Sequence, residues 1–284
     1  MRVFLVAMLL LPQIAFCDRP APLLSGDADK LYYYVTAFAS ADGSASSTND
    51  LIRFVSKLEK KRKSNCSQKQ FVNYLFEKTH RQFLRSYSSN VPFSKILQGG
   101  AYNCLTGIAL YALLLDHFNV EYKVIETNHH IFILAETGSG QVLFEATDPE
   151  NGFVQDAEKI QKRIEGYRKI APKKSDGSKT YFEYTTEVYR EVSLDEMLGL
   201  MHYNLSVSAY NEKDLVTAVD HLISATRLYQ SSRITEYSRI VILTIRESDL
   251  APALKQECLE RASKAVGNKL QAVIPQEQTA VLRY

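Results

Sequence analysis

The sequence predicts an α+β protein: helices first, then a short antiparallel sheet, then a C-terminal region that is helical throughout. Three observations carry this. Apolar residues recur at helical spacing between residues 51 and 87 and again from Leu105 to Phe118. Three strand-like runs follow one another from Tyr122 to Thr147, two of them joined by Gly138-Ser139-Gly140. From Leu194 onward the pattern is helical again. The 284 residues are 45% hydrophobic and 23% charged, which excludes a disordered, collagen-like or disulfide-framework chain. The balance of 34 Lys+Arg against 32 Asp+Glu argues against a dedicated nucleic-acid binder.

Taken in order, the chain opens on a positive Met1-Arg2 and an unbroken apolar run from Val3 to Leu11. Ala15 and Cys17 are small residues at the minus-three and minus-one places for cleavage before Asp18, so residues 1–17 are expected to be a secretory signal peptide. The run is too short to span a membrane. A lipoprotein signal acylated at Cys17 is the alternative, although Phe16 stands where such signals take a small residue. Export leaves Cys66, Cys104 and Cys258, an odd number, in an oxidising compartment. Cys66 and Cys258 are free to pair.

Residues 18–49 begin loop-like and end in Gly43-Ser44-Ala45-Ser46-Ser47. A helix capped at Thr48/Asn49 follows, then a second from about Ser67 to Tyr87. Between residues 53 and 85, ten Lys+Arg stand against two Asp+Glu, read as the solvated face of two helices. Pro92 and Gly99-Gly100 mark a loop. The strands are expected at Tyr122–Thr127, His130–Glu136 and Gln141–Thr147. A polar helix and loop cover Asp156 to Lys179, and Tyr181 to Val192 alternates like a strand. The resulting organisation is a main domain over 18–192 and a helical region over 193–284. Within the latter, Asn204, Ser206, Tyr210, Asp214, Ala218, Leu222 and Ala225 fall near the spacing of a tetratricopeptide repeat (TPR), with a fainter second copy around Arg239 to Leu259.

The chemistry is expected in three short stretches. Cys104 follows a Gly-rich loop at the start of a helix, with Asn103 as its N-cap, where the helix dipole favours a thiolate. His130 shares a strand face with Phe132 and Leu134, in place to take the thiol proton. His129 faces the other side. The third member depends on hairpin register. A two-residue loop with Thr137 opposite Gly140 makes Glu145 a diagonal neighbour of His130, whereas a three-residue loop puts Asp148 opposite it. Glu145 and Asp148 therefore stand as alternatives. Cys104, His129, His130 and Glu145 show no metal-ligand spacing, so neither metal nor cofactor is expected.

A loop-Cys-helix, then a strand His with an aromatic residue two further on, then an acidic-x-Thr strand, resembles the transglutaminase-like superfamily over residues 67 to 155. The resemblance implies a papain-like fold with Cys104 as nucleophile, His130 as its base and Glu145 in the place of the family's Asp. Leu105 stands where animal transglutaminases have Trp, and nothing resembles their calcium sites, so a protein crosslinker is not implied. The helical tail is similar, more loosely, to SirB1-like proteins, which join this domain type to TPR-like helices. The expectation is an exported cysteine hydrolase or acyltransferase, periplasmic or secreted, acting on an amide or peptide bond of a protein or peptide substrate. It has no nucleic-acid partner, and membrane attachment follows only if Cys17 is lipidated. A non-catalytic scaffold binding a partner through the helical tail is the alternative.

Overall fold

Every residue from Leu105 to Leu115 is buried, so the helix that carries them has no polar face and lies inside the molecule. The computed structural model describes residues 27–169 and 188–267. The expected leader at 1–17 with Cys17, and residues 181–187 of the expected last strand, lie outside the described residues. Three helices come first, α1 (Asp27–Ser40), α2 (Asn49–Arg62) and α3 (Gln68–Phe83), then β1 (Ser86–Tyr87), α4 (Ser94–Gly99) and β2 (Ala101–Tyr102). The central helix is α5 (Cys104–His117). After it come β3 (Tyr122–Thr127), β4 (Ile131–Thr137), β5 (Gly140–Phe144), β6 (Phe153–Val154), α6 (Ala157–Lys169) and β7 (Tyr189–Val192). Four helices complete the described chain: α7 (Leu194–Asn211), α8 (Leu215–Leu228), α9 (Ser232–Glu247) and α10 (Pro252–Val266).

The protein is thus α+β, with an antiparallel five-stranded sheet in the order β6-β5-β4-β3-β7 and a helical C-terminal region. Strand alternation divides the sheet residues between two cores. Val124, Ile131, Ile133, Ala135, Val142 and Phe144 join the large cluster around α5. Ile125, Phe132, Leu134 and Leu143 join a smaller one with Ile160 and Ile164 of α6. Burying one such side chain contributes about 1.5–3 kcal/mol, so both faces of the sheet are fixed by packing. Phe76 of α3 lies parallel to Tyr111 of α5 with ring centroids 5.2 Å apart, and Tyr111 donates to the Phe76 carbonyl at 3.1 Å.

Several boundaries differ from the sequence expectation for local reasons. The second helix ends at Phe83 rather than Tyr87, because the Arg85 and Ser86 amides both reach Gly100 O (2.8 and 3.1 Å) and residues 86–87 pair with 101–102. The stretch around Pro92 to Gly100 holds the short helix α4. Thr48 makes no side-chain cap, whereas Ser67 and Ser193 each form a capping box. In the β4–β5 hairpin, Thr137 does pair with Gly140, but the positive φ falls on Gly140 (+115°). Cys66, Cys104 and Cys258 are all free thiols, so Cys66 and Cys258 are not joined.

The C-terminal helices form two successive pairs with three- and four-residue connections, as antiparallel neighbours require. Ser206 Oγ donates to Ala218 O at 2.6 Å, tying α7 to α8, and Tyr210 shares a 2.9 Å hydrogen bond with Thr244 of α9. The α8–α9 corner sits against α7 where Gly199 lies. A Cβ there would come within 2.6 Å of Tyr229 Cβ and 3.0 Å of its backbone N, so only glycine admits this approach.

Candidate functional site

Cys104 is the first residue of α5, and its placement is built from the preceding turn. Asn103 is the N-cap: its side chain accepts from Thr106 N at 2.9 Å, while its own N–H donates to Thr106 Oγ1 at 3.0 Å. The other end of the same side-chain amide donates to Ser89 O and Val91 O, each at 3.2 Å. Asn103 is buried, so all of these partners matter. Replacing it with Ala leaves two carbonyls and one amide short of a partner. Asn103→Ala is therefore expected to cost about 2–3 kcal/mol, read as a lower urea midpoint with unchanged slope.

Cys104 is half-buried, packed against the α5 core. His130 lies one residue before β4, outside the ladder, which begins at Ile131. The strand face shared by Phe132 and Leu134 is covered by α6, and His130 keeps to it, since Tyr167 of α6 lies against both its ring and that of Phe132. At the strand end, the ring reaches both Glu145 and the Cys104 thiol.

Glu145 follows β5, one residue beyond Phe144, and its side chain is almost wholly buried. Its Oε2 takes the His130 Nε2 hydrogen bond, which leaves Nδ1 as the ring nitrogen for Cys104. Its Oε1 accepts from Thr147 N at 2.9 Å and Thr147 Oγ1 at 2.6 Å. Asp148 is not beside His130. Its carboxylate meets Arg163 of α6 at 2.8 Å and accepts from Asn151 N at 2.9 Å. The reason is register: with Thr137 paired to Gly140, the hairpin brings Glu145 and Thr147 to the His130 side and carries Asp148 into the next turn.

The electrostatics follow from burial and partners. Burial favours a neutral His130 ring, but its hydrogen bonds to Cys104 and Glu145, together with their charges, outweigh this and raise its pKa to about 9. Burial likewise pushes the Glu145 carboxyl up, and the His130 and Thr147 contacts prevail, holding it below the ordinary value. At neutral pH the pair is therefore an imidazolium beside a carboxylate.

Sequence reasoning missed two contributors from α6. Tyr167 donates to Glu145 Oε2 at 2.7 Å, and its ring lies over His130 at 4.5 Å between centroids. Arg163, which holds Asp148, also hydrogen-bonds the Tyr167 hydroxyl. The signal was present as Ile160, Ile164 and Tyr167 at i, i+4 and i+7, one apolar helix face. His129 does not join the site. Burial and the nearby Arg233 charge lower its pKa. A cleft of about 110 Å³ lies behind the Asn103 turn, against Met201 of α7, and neither Cys104 nor His130 lines it.

Fold and site together define an α+β protein with a Cys–His–Glu constellation at the end of an antiparallel sheet. Comparison of the chain with protein-family models, curated proteins and solved structures gives no match. Among the described residues no three His, Cys, Asp or Glu side chains are grouped to hold a metal ion, and no helix is long and apolar enough to cross a membrane.

Proposed function

We propose that the protein is an exported cysteine hydrolase or acyltransferase of the transglutaminase-like kind, with a papain-like core and a TPR-like tail, acting on an amide or peptide bond. The observation that supports this best is the convergence of Cys104, His130 and Glu145, from a helix start, a strand start and a strand end, on one imidazole. Cys104 Sγ attacks the substrate carbonyl as the thiolate, the nucleophilic form of the group. The imidazolium of His130 then delivers its proton to the leaving amine as the C–N bond breaks, leaving a thioester on Cys104. Water or a second amine attacks the thioester carbonyl, loses its proton to His130, and the thiolate departs. Asn103 and Thr106 occupy each other's amides, so the Cys104 and Leu105 amides at the α5 start are the donors for the oxyanion.

The experiment is alkylation of Cys104 by iodoacetamide across pH, read by mass spectrometry, in the wild type and in His130→Ala. Rapid labelling at pH 6 that slows by about tenfold or more in the variant is the expected result, since an unassisted thiol ionises only near roughly 8.5. Equal, slow labelling of both proteins at pH 6 would sink the thiol enzyme. A pairing confirmed in this way justifies screening peptide and amide substrates, with release of ammonia or amine as the readout.

A further inference from the structure

We propose that Arg233, on the first turn of α9, is a positioning residue for His130, so that the C-terminal helical region forms part of the reactive centre. This rests on the reading of Cys104 and His130 as a working pair. The connection runs through hydrogen bonds alone. Arg233 Nη2 donates to Asn128 O at 2.8 Å and to Thr127 O at 3.3 Å, capturing the two carbonyls at the start of the turn that ends in His130. Within that turn, Thr127 N donates to His130 O at 2.8 Å, and His130 N donates to Thr127 Oγ1 at 3.1 Å. The backbone of His130 is thus fixed to Thr127, and Thr127 is fixed to Arg233.

Arg233 is itself held rigidly. Its Nη1 lies 2.9 Å from Glu126 Oε1, and the two side chains are only 12% and 3% exposed. Glu126 also accepts from the Tyr229 hydroxyl, from the α8–α9 corner. A buried carboxylate near the end of β3 is costly unless paired, and here Arg233 and Tyr229, its ion-pair and hydrogen-bond partners, come from the helical region, with the Arg190 charge adding from β7. Packing of that region therefore sets where the guanidinium stands. His130 stands one residue before β4, and its backbone is tied to the end of β3 through Thr127, the residue whose carbonyl Arg233 also holds.

Arg190 supplies the control. It anchors the same corner, donating to Gln230 O at 3.0 Å with its guanidinium 4.8 Å over the Tyr229 ring, but in these contacts it does not touch residues 127–130. Its charge also acts on Glu126, so a variant there weakens the support of the corner and of that carboxylate while leaving the Arg233 donors in place.

The test is the pH profile of Cys104 alkylation by iodoacetamide in the full chain, for wild type, Arg233→Met, Arg233→Lys, Arg190→Ala and His130→Ala, with a thermal melt of each. Met keeps the stem of Arg233 and removes every donor. Arg233→Met is expected to slow labelling at pH 6 by about tenfold and to move the profile to higher pH. Arg233→Lys should recover part of that loss, and Arg190→Ala should keep the wild-type profile even where its melting point falls. A wild-type profile in Arg233→Met, or an equal displacement in Arg190→Ala, overturns the positioning role while the Cys–His pair stands. Should Arg233→Met fail to fold, Arg233→Lys decides: an intermediate rate is expected, and the full wild-type rate overturns the proposal. If wild type and His130→Ala label alike, the pair and the clamp fall together.

Discussion

Replacing Glu145 by Gln is expected to lower the His130 pKa from about 9, and to slow Cys104 chemistry by about 100-fold or more. The reasoning is one of proton placement. Thr147 donates twice to Glu145 Oε1, so in Glu145→Gln the new side chain's amide oxygen would be drawn to that side and its NH2 group turned to His130 and Tyr167. An amide that donates to Nε2 forces the ring proton onto Nδ1, the nitrogen that serves Cys104. The ring then has no lone pair for the thiol proton. Burial, which already opposes the imidazolium, is left to act against it with Cys104 as the remaining partner. The His130 ring titration by NMR and the Cys104 alkylation rate check this together, and a wild-type rate in folded Glu145→Gln would refute it. The sign for stability follows from the same shift. Because the folded pKa of His130 is raised, its contribution is complete below about 6.5 and is lost as pH rises through about 9. Wild-type stability should decline across that window, and the Glu145→Gln curve should be flatter there.

The core of this arrangement was legible in the sequence, and the reasons are specific. The helix start at Cys104 was readable because Asn103 is a strong cap and the apolar run behind it is long. Of the two alternatives, Glu145 required a two-residue turn at Gly138-Ser139, and that register is the one the hairpin keeps. What escaped was tertiary. Alternation assigned His130 to the face of Phe132 and Leu134, and Tyr167 of α6 does lie against both His130 and Phe132, but no local pattern placed that helix there. Tyr167 and Arg163 sit in a polar stretch whose three apolar positions are easily lost among charges. The Arg233 clamp joins residues more than a hundred positions apart, and no local pattern encodes such a pairing. Asp148 illustrates the reverse: an acidic residue near the site in sequence, drawn off by an arginine that sequence reasoning had not placed there.

Gly152→Ala is expected to produce the largest loss of stability and to disable the site at the same time. A Cβ at this position would lie 2.2 Å from Glu145 O and 2.3 Å from Asp148 O, with the Phe76 ring at 3.1 Å. Both carbonyls belong to a tightly bonded turn: Gly152 N donates to Asp148 O at 2.7 Å, and Glu145 N donates to Gly152 O at 2.8 Å. Neither oxygen can retreat without breaking a hydrogen bond that fixes the other, and Phe76 is packed among Tyr111, Phe144 and Phe153. The expected cost is about 3 kcal/mol or more, from overpacking together with lost backbone bonding. For a chain of this size that corresponds to a melting-point drop of roughly 6–12 °C. The residue that must move is Glu145 itself, so the carboxylate leaves its place on His130, and Cys104 labelling at pH 6 should slow in whatever fraction remains folded. Gly138→Ala provides the contrast, with only Gln68 Oε1 at 4.0 Å, and should change stability by less than about 0.5 kcal/mol. A melt in which the two alanine variants behave alike would show that the turn yields where the close approach says it cannot, and would remove the steric link between Gly152 and the Glu145 carboxylate.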